Sequence, residues 1–387
     1  MPKHIKSLNT KYKMSFTELE INGQPLLWGN LFQLIIDHQK EINAFLIPLF
    51  QKIDLEIILA GAGSSAFVGE AAQGLVQKNT GCNTRAIATT DLVTHPELYF
   101  QQNSPTLLVS FARSGNSPES LETVRLANEF CNEIYHLIIT CNSEGELHKY
   151  ASGKGSNSFS LLLPEAANDK SLAMTGSFTS MLLSILLVGR QENLTEKQGE
   201  MELILAQANA ILQQQASFRE IVKKDFERVV FLGSGPMLAI ARECHLKLQE
   251  LTDGQIICKH DSFLGFRHGP RAVVNDKTLM VYFFNQNDHV YKYEKDLAHS
   301  IGKDPRKIPV ISVGRENSRE IDPLLNINLH LEPTQELNII PATLVGQLLG
   351  FYKSLELGLN PDNPSVSGSI SRVVQGVTIY EYPKELK

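Results

Sequence analysis

A short apolar run that passes into two glycines and two serines, IILAGAGSS at residues 57–65, decides the fold of this chain. Consecutive Ile and Leu residues predict a strand buried on both faces, and the glycines predict a tight turn into a helix. The pattern returns as VVFLGSGPM at residues 229–237, where Gly233 follows Gly61 by 172 positions (233 − 61). The two stretches predict two strand–turn–helix units in one chain.

Two further pairs of apolar runs have the same spacing. TLLVSF at residues 106–111 resembles TLMVYF at 278–283, and IIT at 138–140 resembles VIS at 310–312. Three matches at one offset predict two copies of one unit. Stretches with helical spacing lie between the strands, at residues 117–131, 236–251 and 339–357. We therefore predict an α/β fold of two tandem, doubly wound parallel-sheet units, flavodoxin-like in arrangement, with an N-terminal helical extension.

The predicted domains are a helical extension at residues 1–52, a first unit at 53–213 and a second unit with a tail at 214–387. Residues 31–50 have helical spacing, which is expected to stop near Pro48. The polar segment 192–224 predicts a connecting helix. The last 28 residues, 360–387, are rich in Asn, Pro, Ser and Gly and predict an extended tail.

Composition excludes several classes of function. With 42% hydrophobic and 20% charged residues, the chain can bury enough apolar surface to fold, which excludes a disordered protein. A net charge of −6 argues against a nucleic-acid partner, because phosphate neutralisation needs clustered Lys and Arg. The five cysteines form no C-x-x-C pair and the polar N-terminus carries no secretory signal, so we expect a reduced, cytoplasmic protein. No apolar run approaches the roughly 20 residues that span a bilayer, so no membrane association is expected.

The glycine-rich turn at residues 61–65 is the first candidate binding site, because free amides at a helix start attract anions. A dinucleotide fingerprint fits poorly. Ala66 stands where its third glycine would be, and residues 85–90 offer no acidic ribose ligand before Asp91. A tight turn without a ligand is the other interpretation.

A second loop, ARSGNSPE at residues 112–119, also follows a strand. Ser117 is a predicted helix N-cap and Pro118 a predicted first helical residue. The hydroxyls of Ser114 and Ser117 beside free helix amides suit a phosphate group, although an ordinary capped helix has the same pattern. The second unit has NQND at residues 285–288, whose acidic residue disfavours phosphate, so we expect one phosphate site per chain.

Three other groups are candidates for chemistry. The hydroxyl-rich MTGSFT at residues 174–179 precedes an apolar helix and is either a binding turn or a plain cap. Glu243, Lys247 and Glu250 share one helix face, which indicates either a solvated surface or an embedded group suited to proton transfer. His268 lies in the turn sequence RHGP and is either catalytic or structural. No cluster has the spacing of a metal site, and no metal or redox cofactor is expected.

Taken together, these motifs resemble the sugar isomerase (SIS) family, and in particular its galactosamine-6-phosphate deaminase/isomerase branch, often labelled tagatose-6-phosphate ketose/aldose isomerase. The resemblance covers residues 20–385 and is carried by residues 111–119, 173–180, 266–270 and 370–379. The isomerase half of glucosamine-6-phosphate synthase is similar at a greater distance. We expect no counterpart of the glutamine amidotransferase half of that synthase, because the 50 leading residues cannot hold it.

The resemblance implies a role for each matching residue. The implied substrate contacts are the sugar-binding Ser64, Ser65, Thr175 and Ser177, and the phosphate-binding Ser114 and Ser117 with the amides of Gly115 and Asn116. Glu250 matches the base that moves a proton between C1 and C2, supported by Glu243 and Lys247. His268 matches the histidine that opens the sugar ring, which in relatives reaches the site from a neighbouring subunit. The resemblance therefore implies a homodimer or a higher homo-oligomer.

The sequence departs from the family pattern at two places. The phosphate loop often begins Ser-x-Ser-Gly, but Ala112 holds the first position here and Arg113 can add charge to the phosphate site. Gln375 stands where the synthase has the lysine that forms an imine, with Arg372 three residues earlier as a further candidate for substrate binding. The lysine imine chemistry is therefore not carried over.

The function that the resemblance implies is the deaminating isomerisation of an aldohexosamine 6-phosphate, with D-galactosamine 6-phosphate giving D-tagatose 6-phosphate and ammonia. An isomerase of an unaminated sugar phosphate or a glucosamine-6-phosphate deaminase would have the same fold and site. A non-catalytic sugar-phosphate sensor is the alternative from another class. Its DNA-binding relatives carry an N-terminal helix-turn-helix domain, for which residues 1–50 are too short and too neutral.

Overall fold

Two parallel five-stranded sheets form the frame of the chain. The structure is a computed structural model, which describes residues 14–383 except 154, 191–192, 316–320, 330–335 and 375. The strands of the first sheet are β1 (Glu56–Gly61), β2 (Asn83–Ala88), β3 (Thr106–Ala112), β4 (Ile134–Thr140) and β5 (Ser158–Leu162). Those of the second sheet are β6 (Arg228–Leu232), β7 (Ile257–Asp261), β8 (Thr278–Phe283), β9 (Val310–Gly314) and β10 (Leu325–Asn328).

The two sheets have the same strand order. The first runs β2-β1-β3-β4-β5 and the second β10-β9-β8-β6-β7, which is the same arrangement read from the other edge. All neighbouring strands pair in parallel, and residues such as Ile58 and Val230 are fully buried. The α/β doubly wound class with two tandem units is therefore confirmed. In each sheet the strand order reverses between two central strands, β1 and β3 or β6 and β8, which is where such folds bind ligands.

Helices cover both faces of the sheets and fill the space between them. They are α1 (Phe16–Asp37), α2 (Gln39–Phe50), α3 (Ser64–Thr80), α4 (Thr89–Thr94), α5 (Pro96–Tyr99), α6 (Pro118–Phe130), α7 (Glu146–Gly153), α8 (Gly176–Val188), α9 (Gln198–Leu212), α10 (Gln215–Val222), α11 (Pro236–Leu251), α12 (Asp288–Gly302) and α13 (Ile339–Glu356). Every residue of α8 is buried, which explains its continuous apolar sequence.

The N-terminal extension is helical and ends near Pro48, as expected, because α2 ends at Phe50. Its helical structure starts well before residue 31, where Ser15 caps α1 by accepting from the Glu18 amide. A break at His38, which was not expected, divides the extension into α1 and α2. Pro48 is tolerated because it stands in the last turn, where the helix loses one hydrogen bond shortly before it ends. Likewise the connecting segment forms two helices, α9 and α10, rather than one.

The tail beyond α13 has no helix or strand among its described residues, as predicted. It nevertheless makes specific contacts with the first half of the chain. The Asp362 carboxylate accepts from the amides of Phe16 (3.0 Å) and Thr17 (2.8 Å) at the start of α1. Near the end of the tail, the Tyr382 hydroxyl donates to Glu97 at 2.7 Å. The tail therefore crosses from the second unit back over the first.

Helices α3 and α11 bring the two units together. They begin at Ser64 and Pro236, which are equivalent positions in the two units. Glu70 of α3 forms an ion pair with Arg242 of α11, and these residues are also 172 positions apart. The Arg242 guanidinium lies 4.4 Å from the centre of the Phe67 ring. Equivalent residues therefore meet one another, as they do across a twofold axis.

Helix α11 also packs against α13 at a very short distance, which glycine makes possible. A Cβ atom added to Gly346 would lie 2.4 Å from Cys244 Cβ. We expect Gly346→Ala to lower the free energy of unfolding by about 3 kcal/mol, because the two helices would have to separate. Gly74→Ala in α3 is the matched control, since its added Cβ meets nothing within 4 Å. The control is expected to raise stability by about 0.5–1 kcal/mol. Urea denaturation measures both, and a Gly346→Ala variant as stable as the wild type would contradict this packing.

Candidate active site

A cavity of about 490 Å³ opens at the point where the strand order of the first sheet reverses. Its wall is formed by residues 62–64 after β1, Arg113 after β3, Leu172, Met174, Glu250 of α11, and tail residues 368–372 and 374. The carboxyl ends of β1 and β3 therefore supply one side, and the second unit supplies the other through Glu250 and the tail. A cavity in this position is the expected binding site of a doubly wound sheet.

The turn after β1 has the geometry for which its glycines are needed. A Cβ on Gly61 would lie 2.5 Å from the Ser65 backbone, and Gly63 has a φ of +55°, which strongly favours glycine. Ser64 lines the cavity and donates to Glu243 Oε1 at 3.1 Å. Ser65 is buried and is not part of the cavity wall, so the structure brings only one of the two predicted serines to the site.

Glu243, Lys247 and Glu250 form one connected row on α11, as their spacing predicted. Lys247 Nζ lies 2.5 Å from Glu250 Oε2 and 3.5 Å from Glu243 Oε1. The side chains of Glu243 and Lys247 are both 1% exposed, whereas that of Glu250 is 24% exposed and borders the cavity. The row is therefore not a solvated surface. It is a buried charge network that ends in a carboxylate at the cavity.

Burial controls the proton affinities in this row. It raises the pKa of Glu243 to about 7, and Glu243 Oε2 has no hydrogen-bond partner among the residues that the structure describes. Burial by itself lowers the pKa of Lys247, but the two flanking carboxylates outweigh it and the net shift is upward. Lys247 therefore remains an ammonium group and directs a donor at Glu250.

The second loop caps α6 as predicted. Ser117 Oγ accepts from the Ser120 amide at 3.3 Å and donates to Ser120 Oγ at 2.7 Å. Ser114 Oγ accepts from the Asn116 amide at 3.3 Å. Gly115 has a φ of +68°, and the Asn116 side chain accepts from the Glu146 amide at 2.9 Å. The loop is thus held at the start of α6, next to the cavity, which it borders through Arg113.

Arg113 and Arg372 are both held by oxygen atoms of the chain. Arg113 Nη1 donates to the Leu172 carbonyl at 3.1 Å, and its Nη2 donates to the Arg372 carbonyl. Arg372 donates to the Asp169 carbonyl at 2.8 Å and to Asn168 Oδ1 at 2.7 Å. The loop after β3, the segment 168–172 and the tail are therefore linked around the cavity. Gln375 lies outside the described residues.

Thr175 and Ser177 are not part of the cavity wall, and their hydroxyls bond within the chain. Both residues are fully buried, and both hydroxyls donate to the Asp169 carboxylate, at 3.0 and 2.5 Å. Asp169 takes these donors because it stands at the N-terminal end of α8, where a carboxylate is favoured. Met174, just before this turn, is the residue that reaches the cavity. The importance of Asp169 was missed, although an acidic residue shortly before a helix start was a usable signal.

His268 is exposed at the end of a short 3₁₀ turn, Gly265–Arg267, and is not part of the cavity wall. The structure of one chain does not bring it to Glu250. Within the described residues, no three His, Cys, Asp or Glu side chains are grouped to hold a metal ion. In that same part of the chain, no helix is both long and apolar enough to cross a membrane.

The equivalent crevice of the second unit is filled by its own side chains. Glu294 is buried and accepts from the Asn285 amide at 2.7 Å. Arg315 donates to the carbonyls of Asn285 and Gln286 and pairs with Asp288 at 2.8 Å. The loop that corresponds to the predicted phosphate loop is therefore occupied by an internal carboxylate and an internal guanidinium.

Comparison with known proteins gives consistent matches. Residues 49–189 match the SIS domain family. The chain is 38% identical over 378 residues to D-galactosamine-6-phosphate deaminase AgaS of Shewanella sp. strain ANA-3, with 97% of this chain and 94% of that protein aligned. A solved Escherichia coli structure, tagatose-6-phosphate ketose/aldose isomerase, is 37% identical with a TM-score of 0.85, covering 95% of this chain and 97% of that one. A Clostridium novyi NT structure, provisionally given the same activity, is 39% identical with a TM-score of 0.91 and covers 95% of each chain.

Proposed function

The chain belongs to the SIS family, and from this premise we propose that it is an amino-sugar phosphate deaminase/isomerase. The proposed reaction converts D-galactosamine 6-phosphate and water into D-tagatose 6-phosphate and ammonia. The single observation that carries the proposal is the half-buried Glu250 carboxylate, held at 2.5 Å by the Lys247 ammonium at the edge of the cavity. A positioned carboxylate of this kind is suited to move a proton between two adjacent carbon atoms.

The proposed mechanism uses the two sides of the cavity differently. The phosphate binds near Ser114 and Ser117 at the start of α6, where free amides favour an anion. With the ring open and C1 present as an aldehyde, Glu250 takes the proton from C2 and returns it to C1. A proton also passes from the C2 amine to O1, so that C1 becomes a CH₂OH group and the amine an imine, which water hydrolyses to the ketone with loss of ammonia. Lys247 and Glu243 support the base, and Ser64 Oγ joins them through its hydrogen bond to Glu243.

A plain isomerase of an unaminated sugar phosphate is the second candidate. The E. coli structure named above, with 37% identity, favours it. The same proton transfer on a substrate with a C2 hydroxyl interconverts an aldose and a ketose without loss of ammonia. The two activities therefore differ in the substituent at C2 and not in the base.

Ammonia release from purified protein tests the proposal. Galactosamine 6-phosphate and glucosamine 6-phosphate are supplied side by side, and tagatose 6-phosphate is supplied separately to detect its isomerisation. Ammonia from the galacto compound alone supports the proposed deaminase and its C4 preference. Ammonia from the gluco compound alone, or isomerisation without any ammonia, would overturn it.

We propose further that two chains share each site, because His268 is exposed and away from the Glu250 cavity of its own chain. Glu250→Gln and His268→Ala variants, each inactive alone, are then expected to regain about a quarter of wild-type activity when unfolded and refolded together. A homodimer with shared sites has that fraction of intact sites by random assortment. No recovery in a refolded mixture that contains mixed dimers would contradict a shared site.

The remaining assignments complete the proposal. The domain division at residues 213/214 is supported by the gap between α9, which ends at Leu212, and α10, which begins at Gln215. The common strand order supports an internal repeat. A cytoplasmic location is supported by the five free cysteines. Loss of ammonia by hydrolysis would make the protein a hydrolase of C–N bonds.

A further inference from the structure

A buried carboxylate outside the cavity wall organises the region that joins the tail to the first unit. The Asp169 side chain is 1% exposed. It accepts from the amides of Thr175 (2.8 Å), Gly176 (3.0 Å) and Ser177 (2.9 Å). The hydroxyls of Thr175 and Ser177 add two more bonds. Five hydrogen-bond donors hold the Asp169 carboxylate in one place at the start of α8.

The segment around this carboxylate accepts hydrogen bonds from the two arginines of the cavity wall. The Asp169 carbonyl accepts from Arg372 Nε at 2.8 Å, and Asn168 Oδ1 accepts from Arg372 Nη2 at 2.7 Å. Three residues further on, the Leu172 carbonyl accepts from Arg113 Nη1 at 3.1 Å. A shift of this short segment would therefore displace both guanidinium groups together.

The negative charge of Asp169 also helps to keep the two arginines at the cavity wall, in addition to the hydrogen bonds of its segment. Arg113 is almost completely buried, which lowers the pKa of its guanidinium, and the nearby positive charge of Arg372 lowers it further. The negative charge of Asp169 opposes both effects. An anion in this position favours two cations beside one cavity, where they would otherwise repel one another.

We propose that Asp169 is a positioning residue for substrate binding. It holds Arg113 and Arg372 at the cavity wall, where they attract the anionic sugar phosphate, and it acts through them without touching the substrate. This inference rests on the proposed function in one respect, namely that the ligand is a sugar phosphate. It gives Thr175 and Ser177 a new role, as the groups that hold Asp169.

Equilibrium binding of galactitol 6-phosphate, which has no carbonyl and cannot react, tests the inference by calorimetry. Asp169→Asn keeps the size of the side chain and removes its charge. We expect its Kd to rise at least tenfold, and KM for the reacting substrate to rise in parallel while kcat changes less than threefold. An unchanged Kd, or a loss of kcat with KM retained, would overturn the proposal.

Glu20→Gln is the matched control. The Glu20 carboxylate also accepts backbone amides of this segment, from Lys170 (2.5 Å) and Ser171 (3.2 Å), and it contacts neither arginine. Glutamine keeps an oxygen that can accept from both amides, so the segment is expected to stay in place when this charge is removed. A Kd within twofold of the wild type is therefore expected, and a rise equal to that of Asp169→Asn would reduce Asp169 to a structural role and overturn the proposal.

Asn168→Ala keeps the test decisive if Asp169→Asn does not fold. This variant removes one acceptor of Arg372 and leaves the carboxylate in place. We expect a rise in Kd of about threefold, and no change would overturn the proposal. Wild-type protein that binds galactitol 6-phosphate but releases no ammonia would refute the deaminase function alone, so the two proposals fail separately.

Discussion

Glu250→Gln is expected to lower kcat for ammonia release by about 10³-fold, within the range that a positioned general base contributes. Glutamine keeps the size of the side chain and can still accept from Lys247, but it cannot take a proton from carbon. The Kd for galactitol 6-phosphate should stay within about threefold of the wild type, because the cavity keeps its shape. In deuterated water the variant should also fail to incorporate deuterium at C1 of the product, which is followed by NMR.

The chain offers a close control for this change. Lys353 and Glu356 of α13 form the same kind of pair, separated by three residues and 2.7 Å apart, with the lysine side chain 6% exposed. Glu356 does not line the cavity that Glu250 borders. Glu356→Gln should therefore leave kcat and KM unchanged. Equal losses in the two variants would show that a damaged helix, and not a missing base, explains the effect.

Lys247→Met is expected to lower the free energy of unfolding by about 3–5 kcal/mol at pH 8, because it leaves two carboxylates in a buried row without a compensating charge. Lys247 is 1% exposed and lies between Glu243 and Glu250, so solvent cannot replace it. Urea denaturation gives the magnitude. A loss below about 1 kcal/mol would mean that the ammonium group contributes little to the network.

This loss should depend on pH in a defined direction. Burial already raises the pKa of Glu243 from 4.5 to about 7, and removal of the ammonium raises it further. A carboxyl group with a raised pKa binds its proton more tightly when folded, so stability falls as the pH rises from about 4.5 through the folded pKa. The deficit of Lys247→Met should therefore shrink towards pH 5. The double variant Glu243→Gln/Lys247→Met should recover part of the stability at pH 8, and a deficit independent of pH would contradict this account.

The sheets were predictable because each central strand is a short apolar run that residues adjacent in sequence delimit. Helix 236–251 was predicted with the observed boundaries, since a glycine turn precedes it. The spacing of Glu243, Lys247 and Glu250 predicted a shared face. It could not predict burial, because burial depends on α3 and α13, which are distant in sequence. The break at His38 was missed because neither proline nor glycine marks it in the sequence.

The hydrogen bonds that link the tail and the loops around the cavity could not be predicted from the sequence. Arg372 reaches the Asp169 carbonyl across more than 200 positions, and a carbonyl oxygen is a backbone acceptor that any residue has. The same holds for Arg113 and the Leu172 carbonyl. Motifs indicated which residues carry chemistry, whereas the position of the tail over the cavity follows only from the folded chain.

Helices α3 and α11 meet through equivalent positions, but they carry different side chains. The α3 positions equivalent to Glu243, Lys247 and Glu250 are Ala71, Leu75 and Lys78, so the base row exists on one helix only. A symmetric pair of first halves would have two of the proposed phosphate loops and no proposed base, and a pair of second halves would have the reverse. The proposed base and the proposed phosphate loop are therefore supplied by different halves of the chain, and the proposed activity needs both halves, although the frames of the two halves are alike.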